Sequence, residues 1–281
     1  MTSTFHLAGV IGWPVSHSLS PRLHSAWLQE LGIAGAYVPL PVEPHALPAA
    51  IAGLKALGFA GANVTVPHKE AVLKLVDALD PTARAIGAVN TLVIEGGRIE
   101  GRNTDAFGFI ENLKASQPEW RAKLGARAAL VLGAGGAARA VVYALAQSGV
   151  SRILIANRSA ERAMALALDL GGKSATAIPW DERSEAVREA SLIINTTSPG
   201  MRGQPALGIH LSAAAQGTIV YDLVYNPLET PLLHAARKQG LATVDGLGML
   251  IHQARAGFKA WFGADPPVTS ETHRRLAAAL S

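Results

Sequence analysis

The chain has 281 residues, 49% of them hydrophobic and 16% charged, with a formal net charge of +4. This is the balance of a folded chain long enough for two domains, and it excludes a disordered one. The lack of cysteine excludes disulfides, thiolate zinc sites and a cysteine nucleophile, and it fits a reducing cytoplasm.

From the start of the chain, Met1–Gly12 shows no basic stretch followed by an apolar one, so no signal peptide is expected. His6–Ile11 reads as a strand. Pro21–Leu31 follows as a helix, with Ser20 as N-cap and Pro21 at its first position. Tyr37–Pro41 is strand-like, Ala46–Leu57 helical, Ala62–Val66 a strand, His68–Leu79 a helix and Ala88–Ile94 a further strand. The alternation predicts an α/β unit with a largely parallel sheet. After Asn103-Thr104-Asp105, a helix runs through Phe109 to Ala115 and breaks at Gln117-Pro118. Then the pattern restarts: strand Ala128–Leu132, helix Ala137–Ser148, strand Arg152–Ala156, helix Ala160–Leu170. Strands Leu192–Asn195 and Thr218–Leu223, helix Pro231–Gln239 and strand Leu241–Val244 complete a doubly wound arrangement. Met249–Trp261 and Ser270–Leu280 read as helices. No apolar run is long enough to span a bilayer, so no membrane partner is expected.

The fold class expected is therefore α/β. An N-terminal substrate-binding and catalytic domain takes residues 1–104, and a Rossmann-type dinucleotide-binding domain takes 105–245. A helical segment, 246–281, packs back on the first domain.

Gly133-Ala134-Gly135-Gly136-Ala137-Ala138 directly follows the strand Ala129–Leu132 and opens a helix. This is the G-x-G-x-x-G/A pattern in its strand–turn–helix context. The first glycine permits a tight turn and the second lets backbone approach a pyrophosphate. The helix N-terminus offers free N–H groups to the phosphates. At the end of the next strand, Ile155-Ala156-Asn157-Arg158, the Asp or Glu that usually holds the ribose hydroxyls of NAD is missing. Arg158 stands there, with Arg162 one helical turn on, and two guanidinium groups suit a 2′-phosphate. The expected cofactor is NADP.

Polar residues cluster at the strand ends of the N-terminal half. They are Ser18 and Ser20, the run Asn63-Val64-Thr65-Val66-Pro67-His68-Lys69, the run Gly87-Ala88-Val89-Asn90-Thr91, and Asn103-Thr104-Asp105. Beyond the carboxyl ends of strands is where α/β sheets bind ligands. Hydroxyls, amides, a lysine and a carboxylate in one crevice suit a small polyhydroxy carboxylate. Taken singly, each residue also fits a cap, a turn or a solvated surface position.

These runs resemble shikimate dehydrogenase. So do Asn157-Arg158-Ser159, Asn195-Thr196-Thr197-Ser198-Pro199-Gly200-Met201, Tyr221-Asp222-Leu223-Val224-Tyr225 and Asp245-Gly246-Leu247-Gly248-Met249-Leu250 with Gln253. The resemblance runs through essentially the whole chain and implies reduction of 3-dehydroshikimate by NADPH to shikimate, on the route to aromatic amino acids. It implies Lys69 as general acid/base with Asp105 as its carboxylate partner. It implies Ser18 and Ser20 on the substrate carboxylate, and Thr65, Asn90, Asp105 and Gln253 on the ring hydroxyls, with Tyr225 nearby. Around the cofactor it implies Gly133, Ala134, Gly135, Gly136 and Ala137 at the phosphates and Asn157, Arg158, Ser159 and Arg162 as the NADP selector. Thr196, Leu223, Gly246 and Met249 complete that set, the last three beside the nicotinamide. No metal is implied.

Two positions depart from the family pattern. His68 replaces an apolar aromatic and either packs or tunes Lys69. Leu223 replaces a methionine of similar volume. Two rival readings remain: a quinate/shikimate dehydrogenase using NAD, which lacks its acid here, and a non-catalytic NADP-binding regulatory protein, which would not need Lys69 and Asp105. No clustered basic face points to nucleic acid. The expected partner is a small-molecule substrate, and the expected state is a monomer or homodimer.

Overall fold

The computed structural model describes residues 5–280. The chain divides into two compact units. One takes the described residues up to Asp105 together with Leu250–Leu276; the other takes Ala106–Met249 and the residues from Ala277.

The first unit contains β1 (His6–Gly12), α1 (Ser20–Glu30), β2 (Gly35–Pro41), α2 (Leu47–Ala56), β3 (Phe59–Val64), β4 (Ala78–Leu79), α3 (Pro81–Ile86), β5 (Thr91–Glu95) and β6 (Arg98–Arg102). Its sheet runs in the order β2-β1-β3-β5-β6-β4. β1 pairs in parallel with β2 and β3, but β5 lies antiparallel to both β3 and β6. The sheet is thus parallel-rich but mixed, with three of its five pairings parallel and the two made by β5 antiparallel. The cause is local: Gly96 and Gly97 take φ of 55° and 75°, and a two-residue turn of that handedness forces a hairpin. Ile11, Leu54, Val64 and Leu92 meet in the core of this unit.

Three further expectations need correction here. Ser20 does not cap α1; the helix begins at Ser20, Leu19 occupies the cap position, and no side chain caps it. The strand expected over Ala62–Val66 ends at Val64, and the one expected from Ala88 starts at Thr91. The helix expected over His68–Leu79 does not form. Only a 3-10 turn, Ala71–Leu75, is present. Asp77 is bound to Ile99 twice, its N–H donating to the Ile99 carbonyl at 2.9 Å and its carboxylate accepting the Ile99 N–H at 2.7 Å. That draws Ala78–Leu79 onto the sheet beside β6. The helix starts later, at α3, where Asp80 accepts the Ala83 N–H at 2.6 Å and Pro81 supplies a preset φ.

The second unit contains α5 (Trp120–Leu124), β7 (Ala128–Leu132), α6 (Gly136–Gln147), β8 (Ile153–Ala156), α7 (Ala160–Leu166), β9 (Ala175–Ile178), α8 (Arg183–Ala186), β10 (Ala190–Asn195), β11 (Ile219–Asp222), α9 (Pro231–Lys238) and β12 (Ala242–Val244). α4 (Asp105–Ser116) leads into it and α10 (Gly246–Phe262) leads out, followed by α11 (Ser270–Ala278). Every pairing in its sheet is parallel, in the order β12-β11-β10-β7-β8-β9. All five residues of β7 are buried, as a strand covered by helices on both faces requires. The strand order reverses between β7 and β10, and this is the doubly wound Rossmann topology with its ligand-binding switch point.

Candidate active site

In the first unit, Lys69 follows the turn after β3 and Asp105 opens α4. The Lys69 ammonium donates to Asp105 Oδ2 at 2.5 Å, with side-chain exposures of 15% and 6%. Val89 N–H donates to the Lys69 carbonyl at 2.8 Å, fixing the backbone under the lysine. Asp105 is held from its other side by the Asn90 amide, which donates to Oδ1 at 2.8 Å. The same Asn90 nitrogen reaches Thr104 Oγ1 at 3.0 Å and Gln253 Oε1 at 3.3 Å. Asn90 Oδ1 accepts the Thr104 N–H at 2.8 Å, so the amide has one orientation. The Asp105 N–H donates to Asn103 Oδ1 at 3.0 Å, and Asn103 in turn donates to the Ala88 carbonyl at 2.8 Å. Gln253 enters from α10 and is anchored by its own donation to the Leu250 carbonyl at 3.0 Å.

The result is a buried polar group with a single cation at its mouth. Lys69, Asn90, Asp105 and Gln253 are brought together. Thr65 and Ser18 are partly exposed, and Ser20 is buried, its N–H donating to Ser18 Oγ at 3.3 Å. His68 is buried, and its Nε2 donates to the Val42 carbonyl at 2.7 Å. It therefore packs the turn rather than facing Lys69. Tyr225 lies in the second unit, three residues after the end of β11.

In that second unit, Gly133 follows β7 with φ of 115°, a conformation side chains rarely adopt, and a Cβ there would collide with Thr196 Oγ1. Gly135 stands at the N-terminus of α6 with nothing within 4 Å of a notional Cβ, leaving space for a ligand over the helix end. Ala138 is fully buried and lets the helix lie close on the sheet. Thr196 Oγ1 donates to the Leu132 carbonyl at 2.7 Å, which places it beside the glycine turn. At the end of β8, Asn157 donates to the Ser159 carbonyl at 2.9 Å and Ser159 Oγ caps α7 by accepting the Arg162 N–H at 3.3 Å. Asn157 and Ser159 thus shape the turn, while Arg158 and Arg162 are exposed. An open helix N-terminus and two guanidinium-bearing residues after β8 fit a phosphorylated dinucleotide. Leu223 and Gly246 touch: a Cβ on Gly246 would collide with the Leu223 carbonyl. Met249 is buried in the same turn of α10.

A family model described as the shikimate dehydrogenase substrate binding domain matches residues 10–92. One described as shikimate/quinate 5-dehydrogenase matches 116–202, and one described as the shikimate 5′-dehydrogenase C-terminal domain matches 246–270. A shikimate dehydrogenase (NADP(+)) of Paramagnetospirillum magneticum is 57% identical over 272 residues, covering 96% of this chain and 98% of that protein. The chain belongs to the shikimate dehydrogenase family. Among solved structures, a shikimate 5-dehydrogenase of Thermus thermophilus in complex with NADP(H) and shikimate is 37% identical with a TM-score of 0.85, covering 98% of this chain and 100% of that one. A quinate dehydrogenase of Corynebacterium glutamicum in complex with NAD is 32% identical with a TM-score of 0.88, over 98% and 100% of the two chains.

The sequence places Thr104 in the polar cluster but gives it no role, and its hydroxyl and N–H both bind Asn90. Reading the sequence as a shikimate dehydrogenase missed Asn112 on α4, which donates to the Tyr221 hydroxyl at 2.8 Å and to the Asp245 carbonyl at 2.9 Å, and Thr230, which donates to Asp222 at 2.7 Å. A buried asparagine on an apolar helix face is the one signal that was available for Asn112.

Proposed function

We infer that this chain catalyses the reversible NADPH-dependent reduction of 3-dehydroshikimate to shikimate in aromatic amino acid biosynthesis. The observation that carries this reading is the buried Lys69–Asp105 pair, bound on its far side by Asn90. When bound, NADPH supplies the hydride. The substrate carbonyl oxygen gains alkoxide character as it is reduced. Lys69 Nζ stabilises that charge and donates the proton. Asp105 holds the ammonium in place and, with Asn90, Gln253 and Thr65, binds ring hydroxyls. Ser18 and Ser20 bind the substrate carboxylate through hydroxyl donors. Tyr225 completes the substrate set.

For the cofactor, Gly133–Ala137 receive the pyrophosphate, and Asn157, Arg158, Ser159 and Arg162 receive the 2′-phosphate side of the adenosine. Leu223, Gly246 and Met249 bound the nicotinamide end, and Thr196 completes the cofactor set. The absence of an acid after β8 and the presence of Arg158 favour NADP over the NAD of the quinate dehydrogenase likeness. The partner is a small molecule rather than nucleic acid, and the enzyme acts in the cytoplasm as a monomer or homodimer. The lack of cysteine supports the reducing compartment, and no helix among the described residues is long and apolar enough to cross a membrane.

The test is a side-by-side assay of shikimate and quinate with NADP+ and NAD+. Oxidation of shikimate by NADP+ at far higher kcat/KM than the other three combinations is expected. Equal rates with both cofactors would refute the role of Arg158, and preference for quinate would refute the substrate.

A further inference from the structure

Asp222 is a carboxylate with no place in the reaction, yet it is 0% exposed at the end of β11. No cation among the described residues is bound to it. Its partners are three neutral donors from three places in the second unit. Asn195 Nδ2, at the end of β10, donates to Oδ1 at 2.8 Å. The Val224 N–H donates to the same oxygen at 3.0 Å. Thr230 Oγ1, the N-cap of α9, donates to Oδ2 at 2.7 Å and accepts the Leu233 N–H at 3.2 Å. A buried charge held only by neutral donors is costly, and burial pushes this carboxyl up to about 6. An apolar residue at this position would avoid that cost, so the position is set by what the carboxylate arranges.

What it arranges are two turns. Asn195, with its nitrogen on Asp222, uses its Oδ1 to accept the Thr197 N–H at 3.0 Å and the Thr197 hydroxyl at 2.6 Å. This fixes the segment that carries Thr196 against Leu132 and Gly133. The Val224 N–H fixes the other segment, and the Leu223 N–H donates to the Asn195 carbonyl at 3.0 Å, tying the two turns together. Leu223 is the residue whose carbonyl lies against Gly246.

We propose that Asp222 is a positioning residue for the cofactor: its carboxylate locks the Asn195–Thr197 and Leu223–Val224 turns into one rigid ledge beside the Gly133 turn. The inference rests on the cofactor reading given above. A preformed ledge binds without the entropy cost of ordering two loops.

The test uses purified full-length protein and NADPH as the probe, with binding followed by its fluorescence. Asp222→Ala should raise the NADPH Kd by tenfold or more while leaving shikimate KM at saturating NADP+ within threefold. Asp222→Asn retains an acceptor for Asn195 and Val224 and can donate to Thr230, so its Kd should stay within threefold of the parent. Hydrogen exchange at the Thr197 and Val224 amides should accelerate in Asp222→Ala, with other β10 and β11 amides unchanged. An Asp222→Ala protein that folds and binds NADPH within twofold of the parent overturns the proposal. Equal losses in the Ala and Asn variants, with exchange raised throughout the unit, also overturn it. A readout independent of any variant is exchange in the unaltered protein: Thr197 and Val224 should be protected before NADP+ is added, and rapid exchange there refutes a preformed ledge. If the unaltered protein binds no NADPH, the cofactor reading itself falls and this inference with it, whereas normal binding by Asp222→Ala removes the inference alone.

Discussion

Lys69→Ala separates chemistry from folding. The substitution removes the one cation among the described residues that pairs with Asp105. Loss of a general acid typically costs about 10²- to 10⁴-fold in rate, which is roughly 3–5 kcal/mol of transition-state stabilisation. The stability change is bounded separately. Deleting one partner of a buried ion pair costs about 3–5 kcal/mol when the remaining charge is orphaned. Asp105 is not orphaned: Asn90 still donates to Oδ1 at 2.8 Å, and Lys69 is 15% exposed, so water can take the place of the ammonium. The stability loss should therefore fall at or below the low end of that range. Turnover is measured from NADPH absorbance with 3-dehydroshikimate, cofactor binding from NADPH fluorescence, and folding from urea denaturation. The expected result is a kcat lower by at least about a hundredfold, with NADPH Kd within twofold. Turnover within tenfold of the parent in a folded variant would refute the assignment of the proton to Lys69.

Arg158→Ala should weaken NADPH binding by about 10- to 100-fold, the range expected for one or two charge-assisted hydrogen bonds, and leave NADH unchanged; equal losses for both would make the arginine structural. For Asp222, the folded carboxyl is raised by burial from 3.8 to about 6, so between those values the folded state binds more proton than the unfolded chain. Its contribution to stability is present below the unfolded value and is lost as pH rises through about 6, amounting to roughly 3 kcal/mol by pH 7. Asp222→Asn should remove that decline, which urea denaturation at pH 4.5 and 7 compares directly; parallel profiles for the two proteins would refute it. His24 shows the opposite sign. It is fully buried, stacked on Tyr37 at 3.9 Å, and desolvation lowers it from 6.5 to about 3. Between 6.5 and about 3 the folded state keeps it neutral while the unfolded chain takes up a proton, so stability falls by about 1.4 kcal/mol per pH unit as pH drops through that window, and a His24→Phe variant with unchanged acid sensitivity would contradict the reasoning.

The parts of the fold that repeat a local rule were legible in the sequence. β7, the glycine turn and α6 form one continuous signal, apolar strand, turn and helix, and each step depends on neighbours in the chain. The segment His68–Leu79 was misread because its helical pattern is overridden by a distant partner: Asp77 gives both a donor and an acceptor to Ile99, twenty-two residues on. The hairpin within the first sheet is not legible because the strand after Gly96-Gly97, Arg98–Arg102, is too polar to register as one. Within the candidate site, the residue types were legible and their bonding was not. Asn90 carries no mark of touching Gln253, which lies 163 positions away in sequence. His68 illustrates the same limit: its position beside Lys69 leaves packing and tuning of the lysine both open, and the carbonyl of Val42, just past β2, fixes it as packing.

The two units use the same device for different ends. In each, an asparagine at or near a strand end donates its amide nitrogen to a buried carboxylate, Asn90 to Asp105 and Asn195 to Asp222, both at 2.8 Å. An amide fixes the geometry of a carboxylate without neutralising it. In the first unit that leaves the negative charge free to hold Lys69, so orientation by Asn90 and charge from Asp105 act on one ammonium. An arginine in place of Asn90 would satisfy the carboxylate's geometry equally well but compete with Lys69 for its charge. In the second unit no cation among the described residues follows, and burial is the cause of the raised proton affinity of Asp222. On the proposed roles, one carboxylate serves proton transfer and the other serves shape. The distinction is testable as a pair: Asp105→Asn should depress turnover strongly because an amide carries no charge for the ammonium and has one acceptor oxygen for two donors, Lys69 and Asn90, whereas Asp222→Asn should preserve it because its single oxygen can still accept from both Asn195 and Val224.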